Sequence, residues 1–144
     1  MRAAYDALPE ATRRRIDGMR AIHGYDTARA RNRPSPRTAQ EIAETPDVEH
    51  PLVRTHPDNG RKALYLCHIG ITQKISGMSE EESRPLLEYL LRHATQPEFT
   101  CRFRWEKGSV AVWDNRCTLH IAVNDVWKFP RVMHRVQMCG DRPV

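Results

Sequence analysis

An α+β fold in one domain, with helices set apart from short strands, is predicted from three features of the sequence. Apolar residues recur at helical spacing near residues 3–22 and 80–94. Short runs of strand-forming residues, bounded by turn residues, recur from Pro51 to Met138. The 144 residues suffice for one domain with a real core and are few for a complete enzyme.

Met1, Tyr5, Leu8, Ile16, Met19 and Ile22 place an apolar stripe on the first helical stretch, which Pro9 breaks or restarts. Arg13, Arg14 and Arg15 fall mostly on the opposite face. Residues 25–50 are polar and interrupted by Pro34, Pro36 and Pro46, so they read as a long loop, functional or disordered. A short helical turn is expected near Thr38–Ala43. Strands follow near 51–55 and 62–67, flanking the turn-rich His56-Pro57-Asp58-Asn59-Gly60. Ser79 opens the second helix, with Glu82 placed for a capping box and an acidic first turn. Leu86, Leu87, Leu90 and Leu91 form its apolar face, and Pro85 argues for a start nearer Ser83. Strands are expected at 100–105, 109–113, 119–122 and 131–138, largely antiparallel, with a tight turn at Glu106-Lys107-Gly108.

Composition narrows the functional classes. The apolar share is 40% and the charged share 28%, as in soluble globular proteins. No apolar run approaches the ~20 residues that span a bilayer. The first fifteen residues lack the apolar region of a signal peptide, so the cytoplasm is the expected compartment and no membrane is an expected partner. Cys67, Cys101, Cys117 and Cys139 show no C-x-x-C spacing, which suits reduced thiols. The net charge of +5 permits nucleic-acid binding, but the basic patches at 13–15 and 29–37 lack stacking aromatics. A solvated basic face accounts for them, and no nucleic-acid partner is expected.

The segment 112–143 is unusual. It mixes His120, His134, four arginines and three aspartates with strand-like apolar residues. A packed core rejects unpaired charge, so such a stretch lines a polar site or is no buried strand at all. In an extended chain Arg131, Met133 and Arg135 share one face, while Val132, His134 and Val136 share the other. Paired arginines suit planar, bidentate anions, or else they stand in water on an edge strand. His120, within Leu119-His120-Ile121-Ala122-Val123, is either a hydrogen-bonded core histidine or a metal ligand.

Together these residues resemble the C-terminal half of the taurine/2,4-D dioxygenase family, which uses iron(II) and 2-oxoglutarate. The resemblance rests on "HPLVRTHPDNGRKALY", "GMSEEES", "RHATQPEFTCRFRWEKGSVAVWDNRCTLHIAVND" and "RVMHRVQMCGDRP", in family order. It implies a partial double-stranded β-helix, a jelly-roll-like barrel with flanking helices, over residues 1–144. It implies that His120 is the distal histidine of a two-histidine, one-carboxylate metal site. Arg131 would bind the far carboxylate of 2-oxoglutarate, and Arg135 would hold the substrate anion or assist the co-substrate. Trp113, Asp114 and Asn115 would set His120 in place.

The implied reaction hydroxylates a small anionic substrate (a sulfonate, sulfate ester or aryloxy acid) and releases succinate and CO₂. The family's H-x-D motif lies roughly 150 residues before the distal histidine, as the resemblance implies. Only 119 residues precede His120 here. The one H-x-D, His56-Pro57-Asp58, sits in a turn at the wrong spacing and is not expected to hold iron. The chain is therefore expected to start within the family domain and to bind metal weakly alone. It would self-associate, pair with a separate N-terminal half, or persist as a non-catalytic remnant or interaction module.

Overall fold

The computed structural model describes residues 1–24, 37–68, 71–123, 130 and 132–144. Two short helices open the chain, α1 (Arg2–Asp6) and α2 (Glu10–Ile16), on either side of Pro9. The expected helix to residue 22 is cut short. Asp17 is extended, Gly18 takes φ 75°, and Arg20–His23 form strand β1 instead. A left-handed glycine after the last turn is a common helix stop, because no Cβ opposes that conformation.

Helix α3 (Ala39–Glu44) falls where a helical turn is expected, closed by a capping box between Thr38 and Glu41. Strands β2 (Val48–Pro51), β3 (Val53–Thr55) and β4 (Lys62–Leu64) follow, then β5 (Thr72–Ile75), which the sequence reading leaves out. Helix α4 (Glu80–Ala94) starts at the Ser79 N-cap, not at Ser83. Ser79 Oγ accepts the Glu82 N–H and Glu82 returns the bond to the Ser79 N–H. Pro85 is tolerated inside the helix, one turn further on.

The strands form two small antiparallel sheets. One has the order β2-β1-β5, with Ala21 opposite His50 on one side and Ile75 on the other. The second is the β3-β4 hairpin, pairing Arg54 with Ala63. Its loop turns at Gly60 (φ 66°), whose N–H reaches the His56 carbonyl at 2.9 Å. Helix α4 packs on this frame through Leu86, Leu87 and Leu90, which join Ala4, Leu8, Ile16, Leu52, Leu64 and Ile75 in one core. Two polar contacts fix its ends. Buried Ser83 accepts the Ile75 N–H at 2.9 Å and donates to the Ser79 carbonyl at 2.7 Å. At the other end His93 Nε2 donates to the Ala4 carbonyl at 2.8 Å.

The expected strands beyond residue 100 are not found among the described residues. Only the turns appear, the first at Lys107-Gly108 with Gly108 at φ 86°. Val112 is 92% exposed, Val136 94% and Met138 95%. Alternation makes a backbone extended, but a strand also needs a hydrogen-bonded neighbour. Among the described residues none lies beside these segments. Among the described residues no closed barrel is formed. Val132, His134 and Val136 are exposed rather than packed, so His134→Ala carries no expected stability cost.

One consequence is pH-dependent stability. His23 is buried between the two sheets, where desolvation first and His50 second lower its pKa from 6.5 to about 4. The unfolded chain therefore takes up this proton before the folded one does. Stability is full above pH 6.5 and falls as pH drops toward 4, by roughly 2 kcal/mol after allowance for partial solvation. Urea unfolding at pH 7 and pH 4.5 measures it, and His23→Gln should flatten the slope. An equal slope in the variant would assign the effect elsewhere.

Candidate functional site

The expected site residues lie in and after the turn 114–117. Asp114 organises that turn. Its Oδ1 accepts the Arg116 N–H at 2.8 Å, and the Arg116 side chain forks onto the carboxylate through Nε (3.0 Å to Oδ1) and Nη2 (2.8 Å to Oδ2). Its backbone carbonyl accepts from Cys117 N–H and from the Thr118 hydroxyl.

The turn is anchored to the β3-β4 hairpin loop by the H-x-D that the sequence reading rejects as a metal motif. His56 is buried, and its Nε2 donates to Asp114 Oδ2 at 2.9 Å. Its Nδ1 accepts the Asp58 N–H at 3.3 Å, which leaves the ring proton on Nε2, where Asp114 needs it. Arg116 Nη2 also reaches Asp58 Oδ2 at 2.7 Å. The four side chains form a closed network in which each charge has a partner. The Arg116 hydrogen bonds, then that from His56, hold the Asp114 carboxyl well below the usual carboxylate range. The hydrogen bonds to Asp114, then to Asp58, raise Arg116 further above its ordinary value.

Next to this network stands His120. Its ring lies 5.0 Å from the Trp113 ring at 52°, and the Trp113 indole N–H donates to Asn115 Oδ1 at 2.9 Å. Of the three residues that the resemblance sets before His120, Trp113 is the one whose ring lies against it. His120 is itself exposed, and so is Arg135. Arg131 lies outside the described residues.

Two groupings bear on metal binding. His56, Asp114 and Cys117 offer ligand atoms within 4.8 Å of one another. A cation does not fit there, because Arg116 occupies both Asp114 oxygens and His56 donates to one of them. Around His120 the fit is partial. It provides one exposed imidazole, and among the described residues it belongs to no group of three candidate ligands. Sequence reasoning missed that Asp114 pairs with His56 and Arg116 with Asp58, each pair 58 residues apart in the chain.

Comparison with known proteins places these features in context. Residues 1–137 match the Taurine catabolism dioxygenase TauD, TfdA family. The chain is 40% identical to the alpha-ketoglutarate-dependent sulfate ester dioxygenase of Pseudomonas putida, over 99% of this chain and 49% of that protein. It is 42% identical to the alpha-ketoglutarate-dependent 2,4-dichlorophenoxyacetate dioxygenase of Cupriavidus pinatubonensis, over 83% of this chain and 41% of that one. Among solved structures, AAD-2 in complex with Mn(II) and N-oxalylglycine superposes with a TM-score of 0.64 at 40% identity, covering 74% of this chain and 41% of that chain. The chain spans about half the length, or less, of these relatives.

Proposed function

Because the chain belongs to the TauD, TfdA dioxygenase family, we propose that it forms the anion- and metal-facing C-terminal half of an iron(II)- and 2-oxoglutarate-dependent dioxygenase. The observation that carries this reading is the His120 ring set against Trp113, the two residues flanking the anchored turn 114–117. His120 would provide one imidazole to the metal, whose family chemistry couples 2-oxoglutarate decarboxylation to substrate hydroxylation. Arg131 suits bidentate binding of the distal carboxylate of 2-oxoglutarate, and Arg135 suits the substrate's anionic group. Relatives named for sulfate esters and 2,4-dichlorophenoxyacetate support a small anionic substrate of the sulfate ester, sulfonate or aryloxy acid class. The remaining metal ligands would come from a polypeptide carrying an H-x-D motif, and the expected compartment is the cytoplasm.

A second reading, an interaction module without chemistry, is favoured by a specific observation. His120 and Arg135 are exposed, and among the described residues His120 belongs to no group of three candidate metal ligands.

One experiment separates the two. The chain is mixed anaerobically with a separately expressed N-terminal half of a family member, Fe(II) and 2-oxoglutarate. The charge-transfer band of the iron–2-oxoglutarate complex is then followed, together with succinate release on adding O₂ and an alkyl sulfate. The chain alone should bind iron weakly and release negligible succinate, and the mixture should gain both signals. His120→Ala should abolish them, while Arg131→Lys should weaken 2-oxoglutarate binding by losing the planar fork. A mixture that associates without either signal would favour the interaction module. Turnover unaffected by His120→Ala would sink the dioxygenase assignment of that residue.

A further inference from the structure

Away from the turn that carries His120, the seam between the two sheets holds polar side chains that the dioxygenase reading leaves unused. Tyr65, next to the end of β4, is their hub. The His23 and His50 rings lie 6.2 and 5.7 Å from the Tyr65 ring and 5.5 Å from each other. The Arg54 guanidinium stands 5.3 Å from the Tyr65 ring centroid. Arg54 is 4% exposed and His23 9%. Nevertheless Arg54 Nε, His23 Nε2 and His50 Nδ1 are buried with no hydrogen-bond partner. Among the described residues no carboxylate pairs with Arg54.

A buried cation without a counter-charge is a costly arrangement, and an aromatic face offsets only part of that cost. Buried polar atoms left open in a cluster call for a bound group that satisfies them together. The protonation pattern indicates which kind. The Thr72 hydroxyl oxygen accepts the Cys67 N–H at 2.8 Å and lies 3.3 Å from His23 Nδ1. With the Thr72 proton directed at Nδ1, the His23 proton stays on Nε2, the open atom. Burial lowers the pKa of both histidines, and for His50 the nearby Arg142, Arg20 and Arg54 lower it further. Near pH 7 both imidazoles are therefore neutral, and among the described residues Arg54 is the one formal charge buried in the seam.

We propose that this seam between the sheets is a binding site for a small monocarboxylate, held by Arg54 and His23 against the Tyr65 ring. A carboxylate is planar and matches the side-on fork of a guanidinium, leaving an oxygen to accept from an imidazole N–H. One negative charge balances the one buried positive charge, whereas a sulfate dianion would enter overcharged and lose more hydration. A metal cation is opposed by Arg54 inside the seam and by Arg20 and Arg142 near His50. The site is independent of the dioxygenase reading, because none of its residues is assigned to metal, co-substrate or substrate.

The test is a titration of the full chain with sodium acetate against sodium chloride at constant ionic strength, near pH 7. The imidazole Cε1–H resonances of His23 and His50 report binding. Both should shift along one saturating curve with acetate and stay still with chloride. Arg54→Gln should abolish saturation, and Arg54→Lys, which keeps the charge and loses the fork, should weaken it roughly tenfold. Arg142→Gln, a change of outer charge alone, should leave the midpoint within about twofold. Far-UV circular dichroism verifies that each variant is folded, and Arg54→Lys alone still decides the matter if Arg54→Gln is not. Non-saturating shifts, equal shifts with chloride, saturation that survives both Arg54 variants, or tighter saturation by sulfate would each overturn the proposal.

Discussion

Replacing Leu90 by alanine should lower the unfolding free energy by about 3 kcal/mol in urea denaturation. Leu90 is fully buried on α4, among Leu86, Leu87 and the leucines of the hairpin and of the first helices. Its side chain lies in the core where α4 packs on β5 and α1, so its loss removes transfer energy and leaves a cavity that the short strands cannot close. Against a total stability of order 5–15 kcal/mol, that is a large share. Two controls give the number meaning. Tyr89, next to it but on the exposed side, should cost within about 0.5 kcal/mol as alanine, and so should Val136, which is 94% exposed. If Val136→Ala cost as much as Leu90→Ala, residues 132–138 would be buried in solution and the fold described above would be incomplete there. The same Val136 variant becomes informative in the mixture with an N-terminal half. A large effect that appears only there would show the segment packing as a strand on its partner.

The contrast between α4 and the segments beyond residue 100 explains what the sequence could reveal. Helix α4 was legible because its signals are local: Ser79 and Glu82 close the cap, and leucines three and four apart mark one face. Its start at Ser79 despite Pro85 shows the cap outweighing a proline still in the early helix. Residues 17–22 misled because Ile16, Met19 and Ile22 keep helical spacing across a break. Asp17-Gly18 was the available signal, since glycine there adopts the left-handed conformation that ends a helix. The opposite error arose at 100–105, 109–113, 119–122 and, of the strand expected at 131–138, at the described residues 132–138. Alternation marks a preference for extended backbone, but pairing is a property of two segments, and no partner is written into either one. The site divides in the same way. A supporting role for Asp114 ahead of His120 is what the family resemblance of Trp113-Asp114-Asn115 implies. The use of His56 and Asp58 as its anchor could not be read from the sequence, because it depends on how a hairpin loop docks on a distant turn.

That anchor carries the largest expected effect on chemistry. In the dioxygenase completed by an N-terminal half, Asp114→Ala should lower succinate release about 100-fold, the order of loss that a displacement of ~1 Å at a catalytic position can cause. Asp114 touches neither metal nor substrate in this reading; it positions the turn that leads to His120. Its removal strips the buried His56 of its acceptor and leaves Arg116 with Asp58 alone, so the Trp113 to His120 stretch loses its fixed point. A double-mutant cycle on His56 and Asp114 in the chain alone should give a coupling of roughly 1–3 kcal/mol, since either single change leaves a partly buried polar group unsatisfied. Acid should act later here than on His23. The Asp114 pKa is depressed by Arg116 and His56, so its contribution is present above the usual carboxylate range and is lost only as pH falls through that lowered value. The readout that separates positioning from mere stability is the Trp113–His120 contact. Asp114→Ala should change Trp113 fluorescence and the His120 ring resonances at temperatures where the variant is fully folded. Asp114→Asn keeps an acceptor for His56 and should restore part of both signals. A variant that loses stability with Trp113 and His120 unmoved, or that keeps full turnover, would reduce Asp114 to a structural residue.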